Sequence, residues 1–176
     1  MNERYKKISE FSILLALAVA LPYLFHLTIP ESGKVLLPMH LPVQLAGFLI
    51  SPLAGLILGI ISPPFNFLIS GMPPFPLFLT MMFELAAMGF FCGLFGKIMN
   101  PLWALLIAIL LSKIFLALGW FIILSIGIEI PFSKNAIMAA SFTPIITGFP
   151  GIALQILIVP SLVLILRRKK HPNSNQ

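Results

Sequence analysis

The 176-residue sequence contains few charged residues and only one cysteine. Charged residues make up 9% of the chain, where a soluble domain carries about 25%, and hydrophobic residues make up 59%. A soluble protein of this length could not cover so much apolar surface. The lone Cys92 excludes an internal disulfide and any multi-cysteine metal or redox motif. These features predict an all-α membrane protein that forms a single transmembrane domain over residues 1–176.

Motifs for catalysis and nucleotide hydrolysis are also missing from the sequence. It contains no P-loop, no His-Glu-x-x-His, no Gly-x-Ser-x-Gly and no acidic cluster suited to a metal. No cofactor is therefore expected, and an intramembrane enzyme is the least favoured hypothesis. The net charge of +6 does not indicate nucleic-acid binding, because the basic residues flank hydrophobic segments and no basic face carries interleaved aromatics.

The hydrophobic segments predict about six transmembrane helices, because a helix needs about 20 residues to cross the hydrocarbon core. A further short interfacial helix is predicted near residues 136–140. The second segment is short, and five spans would result if it is re-entrant. The predicted spans cover residues 8–26, 36–51, 53–69, 77–98, 102–126 and 145–166.

The distribution of basic residues predicts that both termini are cytoplasmic. Arg4, Lys6 and Lys7 precede the first span, and a basic cluster at residues 167–170 follows the last. Basic flanks of this kind mark the inner side of a membrane protein. The longer, proline-containing connections then lie outside, which suits the capture of a solute from that side.

Two ionisable residues lie within predicted spans, where such groups are costly and are functional candidates. Glu84 and Lys113 lie at similar distances from the turn near Met99. At 1.5 Å per residue, both lie roughly 20 Å from that turn, so their side chains can face each other. One interpretation is a structural ion pair. The other is a site in which Lys113 binds a carboxylate or phosphate and Glu84 binds a hydroxyl or amine.

Neutral polar residues in other spans are weaker candidates for solute binding. His40 and Gln44 are one helical turn apart and share a face, while Asn66 and Gln155 lie in the third and sixth spans. Each is individually more typical of an interhelical hydrogen bond. Their distribution over several spans nevertheless fits convergence on a polar site within an apolar protein.

Aromatic and small residues have competing interpretations as well. Trp120 could stack on a solute ring, although an anchor at the membrane interface is favoured. Ala16 and Ala20 form a small-xxx-small pair in the first span. Such spacing allows helix backbones to approach closely, and this pair could serve a partner protein. The similar glycine pairs at residues 55–59 and 89–93 are expected to pack within the protein.

Several short motifs resemble those of the substrate-binding S components of energy-coupling-factor (ECF) vitamin transporters. They are MHLPVQLAGF at residues 39–48, SPLAG at 51–55, ISP at 61–63, SGMPP at 70–74 and MMFELA at 81–86. The resemblance implies a six-helix protein of a prokaryotic plasma membrane that binds a vitamin or related micronutrient from outside. It also implies association with a transmembrane coupling protein and two cytoplasmic ATPases, which would account for the missing P-loop.

The same resemblance assigns expected roles to individual residues. Ala16 and Ala20 match an Ala-x-x-x-Ala motif that contacts the coupling protein in such S components. The family's site lies in outer loops and outer helix halves, which implies Glu84, Lys113, Trp120 and the loop that contains Met72, with His40 as a lid or wall. Lys113 favours pantothenate or another small carboxylate as solute. The alternative function is a small membrane scaffold or regulatory subunit whose Glu84–Lys113 pair is purely structural.

Overall fold

A computed structural model describes residues 2–28, 37–126 and 148–170, and every regular element within these ranges is an α-helix. The predicted all-α fold is thus confirmed, and the interfacial helix predicted near residues 136–140 lies outside the described residues. The helices are α1 (Glu3–Thr28), α2 (His40–Leu49), α3 (Pro52–Ser70), α4 (Leu77–Phe95), α5 (Pro101–Ser125) and α6 (Phe149–Lys170).

Five of these helices, all except α2, are long and apolar enough to cross a membrane. Helix α2 has ten residues and is therefore about 15 Å long, half of what a crossing needs. It occupies only part of the segment 36–51 that was predicted as the second span. The five long helices and the short α2 together give six described helices, which agrees with the predicted count of about six.

Local sequence signals explain where two of the long helices begin. Ser51 adopts an extended backbone and its hydroxyl accepts a hydrogen bond of 3.1 Å from the backbone N–H of Ala54, while Pro52 occupies the first turn of α3. Asn100 caps α5 in the same way, accepting a 3.0 Å hydrogen bond from the N–H of Leu102. Serine and asparagine caps satisfy N–H groups that have no partner within the helix.

The short helix α2 occupies the centre of the bundle. It packs against α1, α3, α4 and α6, and α4 in turn packs against α3 and α5. Its residues Val43, Gln44 and Ala46 are fully buried. A helix enclosed by four neighbours can carry polar side chains into the interior, shielded from lipid.

Glycines bring α2, α3 and α4 into backbone contact. A Cβ atom added to Gly89 would lie 2.8 Å from the Cα of Gly55, and one added to Gly93 would lie 2.6 Å from the Cα of Pro52. A Cβ on Gly47 would lie 3.1 Å from the backbone nitrogen of Gly93. The predicted role of the glycine pairs in packing within this protein is confirmed, since these approaches leave no room for any side chain.

Candidate functional site

Charged side chains from α4 and α5 meet within the bundle, beside a histidine of α2. Lys113 forms an ion pair and hydrogen bond with Glu84 Oε1, and His40 Nε2 lies 3.9 Å from the same oxygen. Glu84 is 3% exposed and His40 is 2% exposed, whereas the Lys113 side chain retains 17% exposure. The juxtaposition predicted from helix depth is therefore present, with His40 as a third member.

A second polar layer lies one helical turn further along α2. Gln44 Nε2 donates a hydrogen bond of 2.6 Å to Gln155 Oε1 of α6 and lies 3.0 Å from the sulfur of Met88. Both glutamines are fully buried. Helices α2 and α4 run side by side in register, because His40 meets Glu84 and Gln44 meets Met88 at the same offset of 44 residues. We use the term polar cluster for six side chains of this region: His40, Gln44, Glu84, Met88, Lys113 and Gln155.

Several polar atoms in and near the cluster lack hydrogen-bond partners among the described residues. They are both ring nitrogens of His40, Oε1 of Gln44, Nε2 of Gln155 and Nε1 of Trp120. Buried polar groups normally have a partner, because an unmade hydrogen bond costs about 1–3 kcal/mol. The cluster therefore holds unused donors and acceptors that a polar solute could engage.

The position of Trp120 argues against the favoured interpretation as an interfacial anchor. Trp120 is 5% exposed and is surrounded by protein, whereas Trp103 of the same helix is 62% exposed. It lies seven residues after Lys113, which is two turns and about 10 Å further along the same face of α5. An interfacial anchor needs contact with the headgroup region, which the burial of Trp120 reduces. The contact of Trp120 with a solute stays a prediction.

Two predicted site residues lie outside the polar cluster. Asn66 is buried between α3 and α1, and its amide donates to the backbone oxygens of Ala18 at 3.0 Å and of Ser62 at 2.9 Å. These contacts support the interhelical role. Met72 lies in the connection between α3 and α4 and is 38% exposed. Its contribution to a site stays a prediction.

Sequence reasoning did not single out three residues that the structure buries beside the charged layer. Thr80 and Met88 lie one turn before and one turn after Glu84 on the same face of α4, and Ser112 is adjacent to Lys113. All three are 1% exposed or less. The stride of four residues from Thr80 to Met88 was the available signal, because residues at that spacing share a helix face.

The two alanines predicted to serve a partner lie on the outer surface of α1. Ala16 and Ala20 are exposed, while Ala18 and Leu14 on the opposite side are buried against the bundle. No contact within the described residues therefore occupies the small-residue face. A flat surface of this kind is where another helix can approach closely.

Comparison with protein families matches residues 6–163 to the family described as "ECF transporter, substrate-specific component". The match covers most of the chain, including all residues of the polar cluster and both alanines of α1. Searches for similar characterised proteins and for similar solved structures return no significant match. The chain belongs to the family of ECF transporter substrate-specific components and is a multi-pass, substrate-binding membrane subunit of such a transporter.

Proposed function

We propose that this subunit captures a vitamin or related micronutrient from outside the cell and that the polar cluster forms its binding site. The observation that carries the proposal is the convergence of buried polar side chains from α2, α4, α5 and α6 within an otherwise apolar bundle. A solute site needs a few convergent polar groups in apolar surroundings. The unused hydrogen-bonding atoms of His40 and Trp120 support this assignment.

We infer the direction of transport from the basic residues near the two termini of the chain. Arg4, Lys6 and Lys7 lie at the start of α1, and Arg167 and Arg168 lie at the end of α6. Under the positive-inside rule these ends are cytoplasmic, in the plasma membrane of a prokaryote. His40 and Trp120 then lie toward the outer ends of their helices, so a solute arriving from outside meets them first.

Release of the solute inside is proposed to depend on partner proteins. We assign the exposed face of Ala16 and Ala20 to the transmembrane coupling protein, which would link this subunit to two cytoplasmic ATPases. The exposure of both alanines on a helix that is otherwise packed through Leu14 and Ala18 supports the assignment. Small residues allow a partner helix to approach the α1 backbone.

Lys113 supports an acidic solute, with pantothenate or another small carboxylate as the first compounds to test. Its ammonium is the most accessible group of the cluster and provides three donors, of which Glu84 uses one. A scaffold with a purely structural Glu84–Lys113 pair would also contain this contact. That alternative, however, gives no role to the unpartnered nitrogens of His40 and Trp120, and family membership disfavours it.

Native mass spectrometry of the full-length protein in mild detergent tests the proposal. We expect a stoichiometric small molecule on the wild-type protein that is lost from the Lys113→Met variant. Arg168→Met, which alters an exposed residue at the far end of the bundle, should retain it. The proposal is wrong if the wild-type protein carries no solute and no vitamin in a panel raises its unfolding temperature.

A further inference from the structure

We infer that the solute is bipolar: it carries an anionic group that engages Lys113 and a separate hydrogen-bond donor or cationic group that engages Glu84. This inference rests on the proposed function and narrows it to a chemical class. In the structure, Glu84 and Lys113 pair with each other. Each therefore takes the position in which the complementary group of the solute would bind.

The burial of Glu84 makes a purely anionic solute a poor fit. Such a solute would draw Lys113 toward its own negative charge and would place a second anion near a carboxylate that is 3% exposed. A buried charge that loses its partner is strongly destabilising, and two anions at close range repel each other. A purely cationic solute would likewise draw Glu84 away from Lys113 and place a second cation near that ammonium. Among solutes that separate the two side chains, only one with both groups leaves neither residue unpaired.

His40 does not remove this requirement. Its Nε2 is 3.9 Å from Glu84 Oε1, which is too long for a hydrogen bond, and neither ring nitrogen has a partner among the described residues. A small movement would let His40 donate one hydrogen bond to Glu84. The carboxylate has two oxygens and about four acceptor positions, so one imidazole donor leaves the remainder for the solute.

Trp120 provides a second contact for the solute, further along α5 than the charged pair. It lies about 10 Å beyond Lys113 on the same face of α5 and combines a buried ring with an unpartnered N–H. A ring or apolar portion packed there, with an acceptor for Nε1, would extend from the charged layer toward the outer end of the helix. The combined features describe a solute with its charged or donor groups at the inner end and a ring or apolar portion beside Trp120.

The chemical identity of the bound solute gives the direct test. The molecule found on the full-length protein by native mass spectrometry is fragmented and its functional groups are assigned. A compound with a carboxylate or phosphate and a separate hydroxyl, amide N–H or amine supports the inference. A compound with only an anionic group, or only a cationic one, overturns the inference while the proposed function stands. If the protein binds no solute at all, the proposed function fails and the inference falls with it.

Reversing the pair provides a second test, with the identified solute as probe. The double variant Glu84→Lys/Lys113→Glu keeps an ion pair at the same place, so its unfolding temperature should stay close to that of the wild type. Its affinity for the solute should fall by about 100-fold, because the anionic group of the solute now meets a carboxylate and its donor or cationic group meets an ammonium. Affinity within about threefold of the wild type would overturn the inference.

A neutral version covers the case in which the reversed pair does not fold. Glu84→Gln/Lys113→Met removes both charges together and leaves neither charge unpaired, so the bundle is expected to assemble. Loss of solute binding from this folded variant supports the inference, and retained binding overturns it. Arg168→Met serves as the control, because it removes an exposed charge outside the polar cluster and should leave solute binding unchanged.

Discussion

The side-chain amide of Gln44 donates a hydrogen bond of 2.6 Å to Gln155 Oε1, across 111 positions of sequence. The bond ties the short helix α2 to α6, directly beside the layer that holds Glu84 and Lys113. Because α2 is too short to cross the membrane, side-chain bonds of this kind help to define its height in the bundle. The contact therefore contributes both to stability and to the placement of His40, one turn away.

Removal of both glutamines should cost less stability than the sum of the two single removals. Gln44→Leu leaves the Gln155 amide buried without its partner, and we expect a loss of about 1–2 kcal/mol in the free energy of unfolding. Gln155→Leu should act similarly, while the double variant should lose less than the sum of the two. Thermal unfolding of all four proteins in the same detergent measures this coupling. Additive losses would show that the bond contributes nothing.

Substitution of Gly89 should disrupt the contact between α3 and α4. Its added Cβ would lie 2.8 Å from the Cα of Gly55, and backbone atoms cannot move aside without separating the helices. We expect Gly89→Ala to destabilise by about 1–3 kcal/mol. Gly119→Ala is the comparison, because its nearest contacts, the Phe83 ring at 3.1 Å and the Cα of Thr80 at 3.2 Å, are longer and need a smaller shift. Equal unfolding temperatures for the two variants would contradict the prediction.

Arg167 should stabilise the end of the bundle opposite the proposed entry side. Its guanidinium donates to the backbone oxygen of Gly96 at 3.0 Å and to that of Phe48 at 3.1 Å, at the C-terminal ends of α4 and α2. A cation is favourable at helix C-termini. Arg167→Met should cost about 1–2 kcal/mol, whereas Arg168→Met, which removes an exposed neighbour, should leave the unfolding temperature unchanged.

The exposed alanines of α1 should matter for assembly and not for solute binding. Ala16→Leu/Ala20→Leu places two large side chains on the face assigned to the coupling protein. We expect co-purification with the transporter's other subunits to fall at least about tenfold, with the unfolding temperature and the bound solute unchanged. Leu17→Phe, on an exposed position about 100° from Ala16 and about 60° from Ala20 around the helix, is the control. Undiminished assembly of the double alanine variant would refute this docking face.

Ala18→Leu tests the opposite side of the same helix. Ala18 is fully buried and its carbonyl accepts a hydrogen bond from Asn66. A larger side chain there should lower stability by about 1–3 kcal/mol by forcing α1 away from α3. Reduced assembly without a stability change would instead place the docking face on this side of α1.

The helical class of the fold and the depth of its charged residues could be predicted before any coordinates. Long apolar segments must be helical in lipid, because each backbone N–H and C=O needs a partner within its own segment. The regular rise of a helix then converts sequence spacing into depth, which predicted that Glu84 and Lys113 lie at the same level of the bundle, where their side chains can face each other. The caps at Ser51 and Asn100 likewise depend on residues adjacent in sequence.

The rotation of each helix about its axis could not be predicted in the same way. Asn66 and Gln155 are both amide residues within predicted spans. The structure nevertheless bonds the Asn66 amide to the backbone of α1 and places Gln155 in the polar cluster. Trp120 likewise had two interpretations until its burial was known. These outcomes depend on which faces of α2, α4 and α6 meet.

Hydropathy and helix rise depend on one segment at a time, so the sequence alone determined the helical class and the depth of each polar residue along its helix. The tertiary structure decided which of those residues converge, because the mutual rotation of helices depends on close packing between distant segments. The glycines at positions 47, 55, 89 and 93 are the clearest case, since each is required by the backbone of a neighbouring helix that packs against it.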